Sequence, residues 1–186
     1  SSSSNSKTDT AMDTMAADDA DAGAMSLVKS EAADTSVTLS RLLAEHTTLA
    51  TIATTRALEG GKDFDQAAAA LTANGEELAD VIGSVYGDEA RATFLKGWND
   101  HIGYLVAYTT ATAGGDAAGK ATAVKDLNAY VESFGTFVAE ATGLPPQAVK
   151  QGLKAHVQHH AGIIDAYKAG NYKQAFAIQR AAYEHM

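Results

Sequence analysis

Cysteine is absent from the 186-residue sequence. Without a thiol, the chain cannot form a disulfide, a thiolate metal site, an iron–sulfur cluster or a cysteine nucleophile. Any metal site must therefore use histidine, methionine, tyrosine or carboxylate ligands. The sequence also lacks an apolar run of about 18 residues, the length that a membrane-spanning helix needs, so we expect no segment to cross a membrane.

Positive charge is scarce, because 14 Lys and Arg residues stand against 23 Asp and Glu residues and the formal net charge is −9. Binding to a phosphate backbone requires clustered positive charge. Acidic or apolar residues interrupt every short run of Lys or Arg. The sequence therefore predicts no nucleic-acid partner.

Residues 1–34 are mostly serine, threonine, aspartate and alanine, with almost no large apolar side chains. Such a segment cannot offset its ordering entropy, so we expect a disordered tether before a folded domain at residues 35–186. The chain begins with four serines and no methionine, and this Ser-rich spacer resembles the part of a bacterial lipoprotein that follows its lipid-modified cysteine. We expect an extracytoplasmic protein, secreted or on the bacterial cell surface, with an N-terminal lipid anchor as its only membrane contact.

The remaining sequence predicts an all-α fold, because Ala and Leu recur at helical spacing between glycine-containing stops. Proline is rare, with two residues in all. We expect Asp63 (with Gln66), Asp88 and Asp116 to cap helices and Pro146 to open one. The six predicted helices are 36–59, 64–86, 89–113, 117–142, 146–169 and 172–186.

The histidines indicate a repeat, because His46, His101 and His156 are spaced 55 residues apart. Apolar residues and turns recur at the same interval: Leu39, Phe94 and Val149; Leu43, Trp98 and Leu153; Gly115-Asp116 and Gly170-Asn171. Short glycine-containing links favour antiparallel neighbouring helices. We therefore predict a bundle of three helical hairpins, each one copy of a repeat of about 55 residues.

Each repeat places one histidine on an apolar helix face, since residues three and four apart share a face. The third hairpin turns near Gly170, which puts His185 level with His156. If the hairpins pack side by side, His46, His101, His156 and His185 converge at one level. His160, one turn beyond His156 on the same face, is a fifth candidate.

Convergence of buried imidazoles favours a metal ion. Each ring needs partners for both nitrogens, and several rings together cannot all find them in an apolar core. A cation accepts one lone pair from each neutral ring, and imidazole suits copper and zinc. We predict a transition-metal site, copper first and zinc second. The candidate ligands are His46, His101, His156, His185 and His160, whereas His159 lies off the apolar face and is expected to be exposed.

Two other functions stay open. The first is non-covalent heme binding, with two axial histidines and a pocket lined by Trp98, Tyr104 and Tyr108. The second is a non-metal interaction module whose histidines are hydrogen-bonded core residues. A di-iron carboxylate site is disfavoured because the sequence contains no Glu-x-x-His.

Four segments resemble a family of small secreted or lipid-anchored helical proteins of bacteria, whose members often carry the label copper amine oxidase. They are LLAEH, YGDEARATFLKGWNDHIGYLVAYT, LKAHVQHH and AAYEHM, within residues 41–186. The resemblance implies an extracytoplasmic, copper-related protein. It does not imply an amine oxidase, because the quinone of those enzymes arises from an Asn-Tyr-Asp/Glu motif and Asn171-Tyr172 is followed by Lys173.

Catalytic motifs are also missing, including Gly-x-Ser-x-Gly, His-Glu-x-x-His and a glycine-rich phosphate loop. We therefore expect a protein that is not an enzyme. The predicted function is storage, buffering or sensing of a transition-metal ion outside the cytoplasm.

Overall fold

A computed structural model describes residues 30–185, and in this range the protein consists of six α-helices and no strand. The helices are α1 (Glu31–Glu59), α2 (Phe64–Tyr86), α3 (Asp88–Gly114), α4 (Ala117–Thr142), α5 (Pro146–Lys168) and α6 (Tyr172–His185). The all-α prediction is confirmed, and the ends of α2 to α6 agree with the predicted ends to within one residue. Among these helices, none combines the length and apolar character that a bilayer crossing needs.

Helix α1 begins at Glu31 rather than at the predicted residue 36. The Ser30 hydroxyl accepts a hydrogen bond from the Ala33 N–H at 3.2 Å, which satisfies an amide that has no partner within the helix. The predicted tether therefore overlaps the first turn of α1, and residues 1–29 lie outside the described range. The described residues divide into two units, 30–38 and 39–185, and the contacts described below all lie within the second.

One of the three predicted acidic caps is present. The Asp116 carboxylate accepts the N–H of Gly119 at 2.9 Å at the start of α4. Asp63 makes no capping bond, because its carboxylate pairs with Arg56 Nε at 3.2 Å instead. Asp88 already lies inside the first turn of α3, whose cap position is a glycine. Both of these predictions were wrong. The Asp63 carboxylate binds the Arg56 guanidinium instead of the helix start, and α3 begins one residue earlier than predicted, so Asp88 lies inside it.

The turns that follow α1, α3 and α5 contain glycines in the same backbone conformation. Gly60, Gly115 and Gly170 have φ values of 65°, 71° and 73°, in the left-handed region that disfavours a side chain. These glycines are spaced 55 residues apart. Their positions are compatible with an arrangement of three helical hairpins.

Helix α3 packs against α2, α4 and α5, while α5 also packs against α4 and α6. Side-chain hydrogen bonds attach α1 to α2 and α6. Asn74 of α2 donates to the Leu42 carbonyl at 3.0 Å, and Gln179 of α6 donates to the Thr47 carbonyl at 3.5 Å. As a result, α1, α3 and α5 all direct side chains into the same interior.

Aromatic rings fill the interior where α3 meets α4. Phe94 stacks on Trp98 with a centroid distance of 5.1 Å, and Tyr130 stacks on Phe134 at 5.0 Å. Gly97 lies under the Phe134 ring, where a Cβ atom would approach Phe134 Cδ2 to 2.5 Å. The close approach of α4 to α3 therefore depends on this glycine.

We expect Gly97→Ala to lower the free energy of unfolding by about 1–3 kcal/mol, because the buried Phe134 ring cannot move aside without disturbing its aromatic neighbours. Gly103→Ala is the matched control on the same helix, since a Cβ there meets no atom within 4 Å. Alanine's higher helix propensity should make Gly103→Ala stabilising by up to about 1 kcal/mol. Urea unfolding measures both, and equal effects of the two changes would contradict the described packing.

Candidate metal centre

Three helices each contribute one histidine to a cluster in the interior: His46 from α1, His101 from α3 and His156 from α5. Ring centroids lie 5.6 Å apart for His46–His101, 5.6 Å for His46–His156 and 6.2 Å for His101–His156. One nitrogen of each residue lies within 4.8 Å of those of the other two. The structure thus brings these three residues together, as the sequence predicted, and we call them the histidine cluster.

His160 extends the cluster along α5. Its ring centroid lies 4.8 Å from that of His156 and 6.3 Å from that of His46, and the residue is only 1% exposed. Because His160 is one helical turn beyond His156, the two side chains share a face. His160 therefore lies next to the cluster, although the three nitrogens that lie within 4.8 Å of one another belong to His46, His101 and His156.

Apolar neighbours at helical spacing hold these histidines in the interior. His46 lies one turn from buried Leu42 and Ala50, and His101 lies between Trp98 and Leu105 on its own face. His46 and His101 are both 0% exposed. The apolar stripe that predicted the cluster is therefore also what keeps water away from it.

Two aromatic side chains form a wall of the cluster. The Trp98 centroid lies 4.5 Å from that of His46 and 4.8 Å from that of His101, and Tyr130 stacks on His101 at 5.0 Å with an interplanar angle of 20°. Mirroring the second hairpin about its turn at Gly115 predicts Tyr130 opposite His101, because the two residues lie at nearly equal distances from that turn. The sequence predicted only a core or heme-pocket role for Trp98, because contact with His46 depends on where α1 packs.

Several imidazole nitrogens are buried without a hydrogen-bond partner. They are both ring nitrogens of His46, both of His101, Nδ1 of His156 and Nε2 of His160. An unsatisfied buried polar atom costs about 1–3 kcal/mol. A cation bound among these rings would give several of them a partner at once.

Burial keeps these imidazoles neutral. It lowers the pKa of His101 to about 3, although the nearby carbonyls of Trp98 and Gly97 act in the opposite direction. Burial also lowers the pKa of His160 to about 4, and it holds the pKa of His46 and His156 well below the ordinary value, with neighbouring histidines adding to the effect. At neutral pH each ring is therefore in the form that offers a lone pair to a metal.

The structure does not bring His185 into the cluster. Its exposed ring lies 5.6 Å from that of His159, and its Nε2 lies 2.9 Å from the Gly152 carbonyl oxygen. His185 follows buried Ala175 by ten residues, which rotates it about 80° around α6 from the buried stripe. Counting residues from the hairpin turn predicts how far along α6 His185 lies, but it does not predict which side of the helix carries its side chain.

His159 is partly buried, whereas the sequence predicted an exposed side chain.

The carboxylates next to the cluster histidines in sequence are engaged elsewhere. Glu45 pairs with Arg41 at 3.3 Å, and Asp100 pairs with Lys96 at 2.6 Å. Both acids are partly exposed, so their charges are directed toward solvent. The four buried histidines themselves carry no charge, because burial lowers the pKa of each.

The spacing of the rings fits an ion surrounded by three imidazoles. With a metal–nitrogen bond of about 2.0–2.1 Å, a ring centroid lies about 3.2 Å from the ion, so three ligands in one plane have centroids about 5.5 Å apart. The observed separations of 5.6, 5.6 and 6.2 Å are close to that arrangement. The ligand nitrogens, which lie within 4.8 Å of one another, would have to approach to about 3.5 Å, so binding would require the rings to turn inward.

A small cavity lies beside His46, between α1, α2 and α3. Its volume is about 80 Å³, and most of its lining is apolar, including Ala50, Leu71, Ile102 and Leu105. Pockets for drug-sized ligands have volumes of about 300–1,000 Å³. The cavity is therefore far too small for a porphyrin.

Comparisons with protein families, with curated proteins and with solved structures find no match to this chain. The resemblance to small bacterial copper-related proteins therefore stays a prediction, and functional inference depends on the site itself.

Stability without metal should fall as the pH drops below about 6.5, because the unfolded histidines take up protons that the folded ones exclude. For His101 alone, with a folded pKa of about 3, this loss reaches about 2 kcal/mol at pH 5. Urea unfolding at pH 7 and pH 5 with a chelator present measures it. His101→Gln should reduce the difference between the two pH values by about 2 kcal/mol. The same difference in wild type and His101→Gln would show that His101 is not held neutral.

Proposed function

We propose that this protein binds one transition-metal ion through His46, His101 and His156, with His160 as an additional ligand, and serves in metal storage, buffering or sensing. The observation that carries the proposal is the set of buried, unpartnered imidazole nitrogens that face one another from separate helices. A purely structural core would favour apolar residues at these positions, because each orphaned nitrogen destabilises the fold. The non-metal interaction module is disfavoured for the same reason.

Copper is our first choice, in the Cu(I) state, and zinc is the second. Neutral ligands leave the full ionic charge inside an apolar core, and the Born cost of burying an ion scales with the square of its charge. A monovalent ion therefore incurs roughly a quarter of the cost of a divalent one. Cu(I) accepts three ligands, whereas structural zinc sites almost always have four. Zinc would need His160 as well as the histidine cluster.

Storage or buffering fits the enclosure of the site better than catalysis does. His46 and His101 have no exposed surface, and Trp98 and Tyr130 cover one side of the cluster. A substrate would need open space beside the ion, whereas a stored ion needs protection from water. Heme binding, the remaining alternative, is disfavoured because the cavity that reaches a cluster histidine measures only about 80 Å³, and the groove of about 370 Å³ lined by Tyr104 and Tyr130 has no histidine in its lining to serve as an axial ligand.

An extracytoplasmic location completes the proposal. It is supported by the composition of the residues that precede α1, which suits a tether between a lipid anchor and a folded domain. A metal-binding protein held outside the cytoplasm would meet incoming ions before they cross the inner membrane.

We expect His101→Ala to weaken metal binding at equilibrium by at least about 100-fold, because His101 supplies one of the three cluster ligands. His159→Ala is the matched control and should change the affinity by less than about threefold. Anaerobic titration with Cu(I) against a chromophoric chelator, and parallel titration with Zn(II), measures both. Equal losses in the two variants, or no binding by the wild-type chain, would contradict the proposed site.

Trp98 offers a direct signal of occupancy, since it is the only tryptophan in the sequence and touches two cluster histidines. Binding of copper should quench its fluorescence strongly and saturate at one ion per chain, whereas zinc should alter the emission less. His101→Ala should remove the high-affinity quenching phase. Quenching that is linear in copper and unaffected by this change would indicate collisional contact at the surface instead.

A further inference from the structure

The six histidines of the sequence lie in two neighbouring groups. His46, His101, His156 and His160 lie in the interior, and His159 and His185 face each other at a centroid distance of 5.6 Å near the surface. We call His159 and His185 the outer pair. Nothing in the proposed storage site requires this pair, so its position next to the buried histidines needs a separate explanation.

A hydrogen bond to the backbone orients the His185 ring so that one of its nitrogens can bind a metal ion. The Gly152 carbonyl oxygen can only accept a hydrogen bond, so His185 Nε2, 2.9 Å away, carries the proton and donates it. The neutral ring then has its lone pair on Nδ1. Metal-binding histidines commonly donate their other ring N–H to a backbone carbonyl in this way, which fixes the ring orientation.

His159 adds a second nitrogen without a partner. Its Nδ1 is buried and makes no hydrogen bond, although the residue as a whole is partly exposed. In the tautomer with its proton on Nε2, His159 offers the Nδ1 lone pair beside that of His185, and two imidazole lone pairs suit a soft or borderline cation.

The outer pair lies beside the turn of α5 that carries His156. Gly152 and His159 are seven residues apart, or about 10 Å along the helix, and His156 lies between them. His185 contacts both ends of this stretch through the Gly152 carbonyl and the His159 ring. Its side chain therefore lies across the turn that presents His156.

His156 is the most accessible member of the buried set. It is 5% exposed, against 0% for His46, 0% for His101 and 1% for His160. The pKa of His156 is lowered mainly by burial and by His160, and to a smaller extent by His185 and His159. The effect of the last two residues agrees with their position close to His156. An ion that reaches the cluster from this side would meet His156 first.

We infer that the outer pair captures the metal ion at the surface and transfers it to the cluster through His156. This inference rests on the proposed metal-binding function. Each transfer is a ligand exchange: a bond from the ion to His159 or His185 breaks as a bond to His156 forms. The ion keeps its charge, every imidazole stays neutral, and no electron or proton moves. The outer pair therefore sets the rate of loading rather than the affinity of the loaded state.

The test is a stopped-flow measurement with Cu(I) as the probe, in which Trp98 fluorescence follows loading and a strong chelator follows unloading. The double variant His159→Gln/His185→Gln should load at least about tenfold more slowly and unload more slowly by the same factor. Its equilibrium affinity should stay within about threefold of wild type, because a ligand-exchange step on the path changes both rates equally. The single variant His185→Gln, at the end of α6, should show an intermediate effect.

Gln151→Ala/Gln158→Ala is the matched control, because both residues are uncharged, exposed and on α5. It should load at the wild-type rate. Unchanged rates in the double histidine variant, with wild-type affinity, would overturn the transfer route and leave the storage site intact. A lower affinity caused by faster unloading would make the outer pair part of the site itself and would also overturn the route. Failure of the wild-type chain to bind Cu(I) would overturn the proposed function and this inference together.

Discussion

The central constraint on this structure is a set of imidazole nitrogens that are buried in an apolar interior without hydrogen-bond partners. Imidazole nitrogens from three helices lie close to one another, and both nitrogens of His46, Nδ1 of His156 and Nε2 of His160 are buried without a hydrogen-bond partner. The fold tolerates this cost because the surrounding helices bury large aromatic and aliphatic side chains. Such a cost is understandable at a position selected for binding, where a partner arrives from outside the chain.

The architecture explains why the histidines meet. Helix α3 packs against three neighbours, and α1 is attached to α2 and α6 by hydrogen bonds from Asn74 and Gln179. Each of α1, α3 and α5 then presents one histidine to the same space. Because the ligands lie on packed helices rather than loops, their spacing is set before an ion binds. Because none of these histidines carries a charge, the proposed site would favour a cation of low charge.

Much of the fold was predictable, because local signals fix helix ends. Glycine stops gave the bounds of α2 and α4, and apolar spacing identified the faces that carry His46, His101 and His156. Tertiary effects decided the rest. The Asp63 carboxylate forms an ion pair with Arg56 and therefore does not cap α2 as predicted. His185 lies at the predicted level but about 80° around the helix axis from the buried face, and counting residues from the hairpin turn predicts the level only.

The even distribution of the three cluster histidines along the chain has a consequence for turnover. A shared ion would act as a reversible cross-link between segments 55 residues apart, and it would exist only while all three helices are in place. Ligand linkage therefore makes the loaded form more resistant to unfolding and to proteolysis than the apo form. Conversely, cleavage or unfolding of any one of these helices would remove a ligand and release the ion. The lifetime of a bound ion would therefore depend on all three helices staying folded.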